Sequence, residues 1–166
     1  MANTGKEQGE MARISEQIIS LIVDQHFEQA AALIENARQS LPESEMHRLT
    51  ALSAVLQKQI GNLSDSIDLI RLAHRENPTW IPHLYRLSVY LMEAERWFDA
   101  NAALDELISL SEKNNDRYFL DEARLRKIFC LKELGHQQEI QRLKNMISVD
   151  ATAFIGDRLY GLADFD

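Results

Sequence analysis

Cysteine occurs once in the 166 residues, at Cys130. A lone thiol rules out an internal disulfide, and a chain without a second one fits a reducing compartment. Proline occurs three times, and aromatics make up 7% against 45% hydrophobic residues in all. That balance suits an ordinary, mostly helical globular chain rather than a disordered one. No apolar run approaches the ~20 residues that span a bilayer. The first ten residues, MANTGKEQGE, carry neither a basic start nor an apolar segment, so no secretory signal is expected and a cytoplasmic location is. Positive charge is in deficit, with 18 Lys and Arg against 26 Asp and Glu, for a net charge of −8. Approach to a phosphate backbone would work against repulsion, which disfavours nucleic acid as a partner.

Recognisable chemistry is scarce as well. The six glycines are isolated, so there is no phosphate-cradling loop. The five histidines (His26, His47, His74, His83, His136) are scattered, with no HExxH pair, and no metal site is expected. Three of them stand at or near corners, where an exposed histidine is common. Cys130, between Phe129 and Leu131 with no histidine nearby in sequence, reads as a buried, inert thiol. The carboxylate pairs Glu43/Glu45, Asp65/Asp68, Asp105/Glu106 and Asp121/Glu122 fall near helix starts or on polar faces, where acids complement the helix dipole. The expectation is a protein that is not an enzyme and needs no cofactor.

What the chain does have is period. Ile14, Ile18, Leu21 and Ile22 fall on one helical stripe, and Phe27, Ala30, Ile34 and Ala37 on another, which stops at Leu41-Pro42. Further helices are expected over about Glu43–Ile60, Leu63–Glu76 and Pro82–Ala94, from Trp97, and from an Asp116 cap towards Leu134. Gly61 and Gly135 supply left-handed turns at two helix ends. Ile140, Leu143, Met146 and Ile147 carry the next stripe, and Phe154, Ile155, Leu159 and Leu162 suggest a last short helix. No stretch reads as a strand, so the expected class is all-α.

The stripes repeat in register. Phe27-x2-Ala30-x3-Ile34-x2-Ala37, Leu63-x2-Ser66-x3-Ile70-x2-Ala73 and Trp97-x2-Ala100-x3-Leu104-x2-Leu107 share one spacing, their starts 36 and 34 residues apart. Leu84-x2-Leu87-Ser88-x2-Leu91 fits a first-helix pattern, Ala54 and Ser88 are its small residues, and Pro42 and Pro78 close units. On these residues the chain resembles the tetratricopeptide repeat (TPR) family, helix–turn–helix units of ~34 residues. Ala123 and Leu131-x2-Leu134-Gly135 suggest a fourth, degenerate unit. Ile18, Ile128 and Ile140 depart from the small-residue pattern. The resemblance implies a right-handed TPR-like superhelix of helical hairpins, an α-solenoid. The expected organisation is a flexible tail over 1–10, then a single domain over 11–166. Its repeats lie at about 11–44, 47–80, 81–114 and 121–150, with a capping helix at about 151–162.

In TPR proteins the first helix of each hairpin lines a concave face that receives a peptide or helix. Carried onto this register, the inner positions are Ser15, Ile19 and Ile22; Arg48, Ala51, Val55 and Lys58; Tyr85, Val89 and Met92; and Leu125, Phe129 and Lys132. The rung Ile19–Val55–Val89–Phe129 is apolar in all four repeats, against the Lys and Asn that clamp acidic chaperone tails in one TPR subclass. Arg48, Lys58 and Lys132 stand ready for acidic groups at the edge. The expected partner is therefore another protein or peptide, bound through an apolar or amphipathic segment, as by an adaptor or chaperone. An inhibitory or immunity-type protein that blocks an enzyme, and a self-associating structural protein that buries the strip in a homodimer, are the alternatives. A nucleic acid or membrane partner is not expected.

Overall fold

A computed structural model describes residues 4–165. Eight α-helices follow one another among them: α1 (Thr4–Val23), α2 (Phe27–Ser40), α3 (Met46–Gln59), α4 (Leu63–Glu76), α5 (Ile81–Glu93), α6 (Trp97–Lys113), α7 (Leu120–Glu133) and α8 (Gln137–Lys144). Two short strands, β1 (Thr152–Ile155) and β2 (Arg158–Gly161), and a closing 3-10 turn (Leu162–Phe165) complete the chain. The helices pack as consecutive hairpins, and the chain divides into two compact units, Met1–Pro78 and Thr79–Asp166. The sequence suggests one continuous domain; the division falls at the Asn77-Pro78-Thr79 corner, where proline ends the donor ladder.

In the first unit, α1 packs on α2, α2 on α3, and α3 most extensively on α4. Its core is an aliphatic cluster of Met11, Ile14, Ile18, Ile22, Ala30, Ile34, Ala37, Leu41, Leu49, Leu52 and Leu56. The two expected stripes of α1 and α2 supply Ile14, Ile18, Ile22, Ala30, Ile34 and Ala37. Ala30, Ala54 and Ser66 have no exposed surface, as close helix crossings require. In the second unit, α5 packs on α6, α6 on α7, and α7 on α8 and β1. Ser88, Ala100 and Ala123 are likewise fully buried.

A backbone signature accompanies each pair. The residue closing the first helix of every hairpin has positive φ: Gln25 (60°), Gly61 (92°), Glu95 (55°) and Gly135 (77°). Around each, two N–H groups reach back, as Gly61 N to Lys58 O and Asn62 N to Gln57 O do at the end of α3. This is the Schellman pattern, which satisfies the orphan carbonyls and reverses the chain. Two of the four positions are not glycine, so the turn recurs more faithfully than the residue that eases it.

Three expectations need correction. Where a flexible tail is expected, residues 4–10 are helical, because α1 begins at Thr4. Helix formers such as Lys6, Glu7 and Gln8 let the helix extend back from the packed Met11 stripe. Residues 1–3 lie outside the described residues. The capping helix over 151–162 is instead the β1–β2 hairpin, paired antiparallel with Phe154 opposite Leu159 and Ala153 opposite Tyr160. Gly156 has φ +58° and Asp157 has no positive φ, the arrangement of a type II′ turn with glycine first. Finally, α7 starts at Leu120 rather than after Asp116, whose Oδ1 accepts the Tyr118 N–H at 3.0 Å within the preceding turn.

Candidate functional site

The inner positions divide sharply by burial. In the first unit, Ile19 on α1 is exposed at 38%, whereas Ile22, one turn on, is 4% exposed and belongs to the core. Val55 is half-buried against that core. Arg48 is half-buried, and its guanidinium donates to Glu45 at 2.9 Å; Lys58 is half-buried. The first unit thus leaves Ile19, and in part Val55, available.

In the second unit Met92 and Leu125 are buried, Leu125 with no exposed surface. Burial to this depth makes them supports for the helix faces rather than contacts for a partner. Tyr85 and Val89 are half-buried on α5. The Tyr85 hydroxyl donates to Glu122 at 2.7 Å and accepts from Arg126 at 3.2 Å, while Arg126 also donates to Glu122 at 2.7 Å. The Arg126 guanidinium lies 5.3 Å from the Tyr85 ring centroid, and Phe119 packs at 4.7 Å. Burial, then the hydrogen bond to Glu122, raises the Tyr85 pKa, so the phenol stays neutral. This network ties α5 to α7, and nothing in the apolar pattern announces it.

Phe129 is half-buried, its ring 5.7 Å from Trp97 and 5.4 Å from Tyr160 of β2. The Lys132 ammonium sits 5.9 Å from the Phe165 ring. At the end of α7, then, the chain's own C-terminal segment already occupies the expected partner-facing positions. Where expectation placed apolar residues inside the capping helix, Phe154 and Leu159 instead face outward as an exposed cross-strand pair.

Elsewhere the chemistry is compensated. A cavity of about 450 Å³ opens beside Ser111, Arg117, Asp121 and Arg124. The buried Arg124 guanidinium in its wall donates to Glu112 at 2.8 Å, Asp121 at 3.3 Å and the Met146 carbonyl at 2.7 Å. Arg124 therefore fastens the segment after α8 to α7. Cys130 is fully buried, and burial pushes its thiol up to about 12, which leaves it without nucleophilic character at neutral pH. His47 and His83 are buried. Among the described residues no group of His, Cys, Asp or Glu is placed to hold a metal ion, and no helix is long and apolar enough to cross a membrane.

The chain is similar to solved structures. The chain superposes on a structure titled MamA MSR-1 C2, a TPR-containing protein, with a TM-score of 0.58 and 14% identity over 82% of this chain and 74% of that one. The fold is a TPR-like α-solenoid. No family model matches the sequence, and no curated protein does. At this identity the likeness speaks for the helical-hairpin architecture and leaves the role to be argued from the residues.

Proposed function

We propose that this protein is a non-catalytic interaction module that holds apolar or amphipathic segments of a partner protein against the first helices of the hairpins within each unit. One observation carries the reading. Those helices keep Ile19, Val55, Tyr85 and Val89 incompletely buried, each within a turn or two of fully buried neighbours such as Ile18, Ala54, Leu84 and Ser88. Such positions are rigidly held yet still have apolar surface to lose.

Completing the burial of a half-buried aliphatic side chain contributes on the order of 1 kcal/mol. A few such positions do not by themselves offset the ~4–15 kcal/mol cost of association. A partner must therefore bury comparable apolar surface of its own, which favours an amphipathic helix or an alternating extended segment over a polar tail. Arg48, Lys58 and Tyr85 supply polar contacts at the margin. Ile22, Met92 and Leu125 act from behind, by fixing the backbone that presents the exposed set. No cofactor enters this role.

The test compares wild type with Ile19→Glu and Val89→Glu as bait in native lysate. Both variants should keep the wild-type far-UV circular dichroism and lose a protein that wild type retains. A retained partner on both variants would refute the assignment; loss of helicity would show the side chains to be core.

A further inference from the structure

Residues 152–165 look like a ligand seated on α7. Contacts internal to the segment set its shape: the Gly156-Asp157 turn, the paired strands, the Arg158–Asp164 ion pair at 2.7 Å, the Gly161 N–H donating to Asp164 at 2.8 Å, and Arg158 over the Tyr160 ring at 4.8 Å. β1 packs on α7, and an aromatic set adds to the contact: Tyr160, stacked on Phe165 at 5.7 Å, is edge-on to Phe129, and the Lys132 ammonium lies over Phe165. Ala153, Ile155 and Phe165 are buried beside them.

The connection is a single exposed turn next to an anchor. Met146 and Ser148 are hydrogen-bonded to Arg124 and Asp121 of α7. Val149 and Asp150, which follow, are exposed, Val149 at 90%; the Ser148 hydroxyl donates to Asp150, and the Ala151 N–H donates to the Ser148 carbonyl at 3.0 Å. Opening of this turn would release the β-hairpin while leaving the anchor in place. Two-stranded hairpins are marginal alone, so a released segment gains by docking again, on its own α7 or on another.

We propose that the Phe129–Lys132 face of α7 is a docking surface for an extended, aromatic-bearing segment, occupied in cis by residues 152–165 and open in trans to the same segment of a second copy. A surface and segment already complementary within one chain are complementary between two, the usual basis of exchange between protomers. The inference shares with the proposed function the treatment of α7 as a partner-facing helix. Its test does not involve Ile19 or Val89, so the two fail separately.

A fluorescein-labelled peptide of residues 150–166 is titrated by anisotropy against full-length wild type and the Tyr160→Ser/Phe165→Ala variant. The variant, its own segment loosened, should bind at least tenfold more tightly than wild type, and adding Phe129→Ala should remove at least tenfold of that affinity. A folded variant that ignores the peptide, or binding indifferent to Phe129→Ala, overturns the proposal. So does loss of helicity in the double variant, because the segment would then be an integral part of the core. Hydrogen exchange of wild type gives a second reading: amides of 152–161 should exchange at least a hundredfold faster than those of 128–131, and equal rates overturn the proposal.

Discussion

The two compact units use the same helical hairpin but hold it together differently. The first is built largely from aliphatic contacts, Met11 through Leu56, with Thr50, Ser66 and His47 among its buried polar groups. The second buries two arginines, Arg124 and Arg126, and joins Tyr85, Trp97, Phe119, Phe129, Tyr160 and Phe165 into aromatic contacts. Helix length accounts for part of the difference. α8 has 8 residues where α2 and α4 have 14, so it covers less of α7, and a β-hairpin completes the cover. Apolar packing is non-directional and tolerates a repeated stripe. Finishing the last hairpin with a different element requires directional groups, and that is where the arginines and aromatics collect.

The largest expected effect tests what the units share. Ala30 and Ala100 occupy the same register position and are both fully buried. Ala30→Trp and Ala100→Trp force an indole into a close crossing, and each should cost more than about 3 kcal/mol, seen as loss of the cooperative urea transition. Tolerance at either site would mean that its helices are not closely apposed. Next comes what the units do not share. Glu122→Gln leaves buried Arg126 without its carboxylate and should cost about 2 kcal/mol, reduced from the fully buried case because Glu122 is partly exposed. The double variant Arg126→Met/Glu122→Gln should recover at least half of that loss in urea titrations. No such cycle is expected in the first unit.

Legibility in the sequence follows the same division. The boundaries of α4 and the start of α2 fall where the spacing puts them, because amphipathic period is the signal and tertiary packing agrees with it. Period misleads at the C-terminal β-hairpin. Phe154, Ile155, Leu159 and Leu162 sit at helical spacing, but the Gly-Asp dipeptide between runs that hold Thr152, Phe154, Ile155 and Tyr160 is a hairpin signal. Glycine at a compulsory positive φ was the better guide. The candidate site was half legible. Register finds the first-helix face, but one residue of offset separates exposed Ile19 from buried Ile18. Whether Leu125 is buried or Phe129 covered depends on elements distant in sequence. Of the Tyr85–Glu122–Arg126 network, only the Glu122–Arg126 pair has a local spacing, one turn of α7; the Tyr85 link spans two helices and has none.

A smaller effect separates glycine from non-glycine turns within the repeated reversal. Gly61→Ala places a Cβ at φ 92° and should cost about 1 kcal/mol. Glu95→Gly relieves the same conformation at φ 55°, and should change stability by less than about 0.5 kcal/mol, strain relief offsetting the added chain entropy. Both are measurable as shifts in urea midpoint. A large loss from Glu95→Gly would mean that the Glu95 side chain itself holds the turn.

The smallest effect reports on the first unit's one buried imidazole. Burial is the main influence on His47 and lowers its pKa from the ordinary 6.5; Arg48 lowers it further, while Glu45 and Glu76 oppose. Its Nε2 lies 3.2 Å from the Asn77 amide at the end of α4, which fits a neutral ring accepting the Asn77 N–H. With the folded pKa below the unfolded one, the unfolded chain binds more protons across the interval between them, so stability rises with pH there. The contribution is complete above about pH 6.5 and is lost as pH falls towards the folded value. Wild type should therefore lose more of its urea midpoint between pH 7.5 and 5 than His47→Gln, which lacks this ring. Equal losses would mean that the ring is already solvated in the native state, and that the end of the hairpin where α3 begins and α4 stops is looser than the aliphatic core.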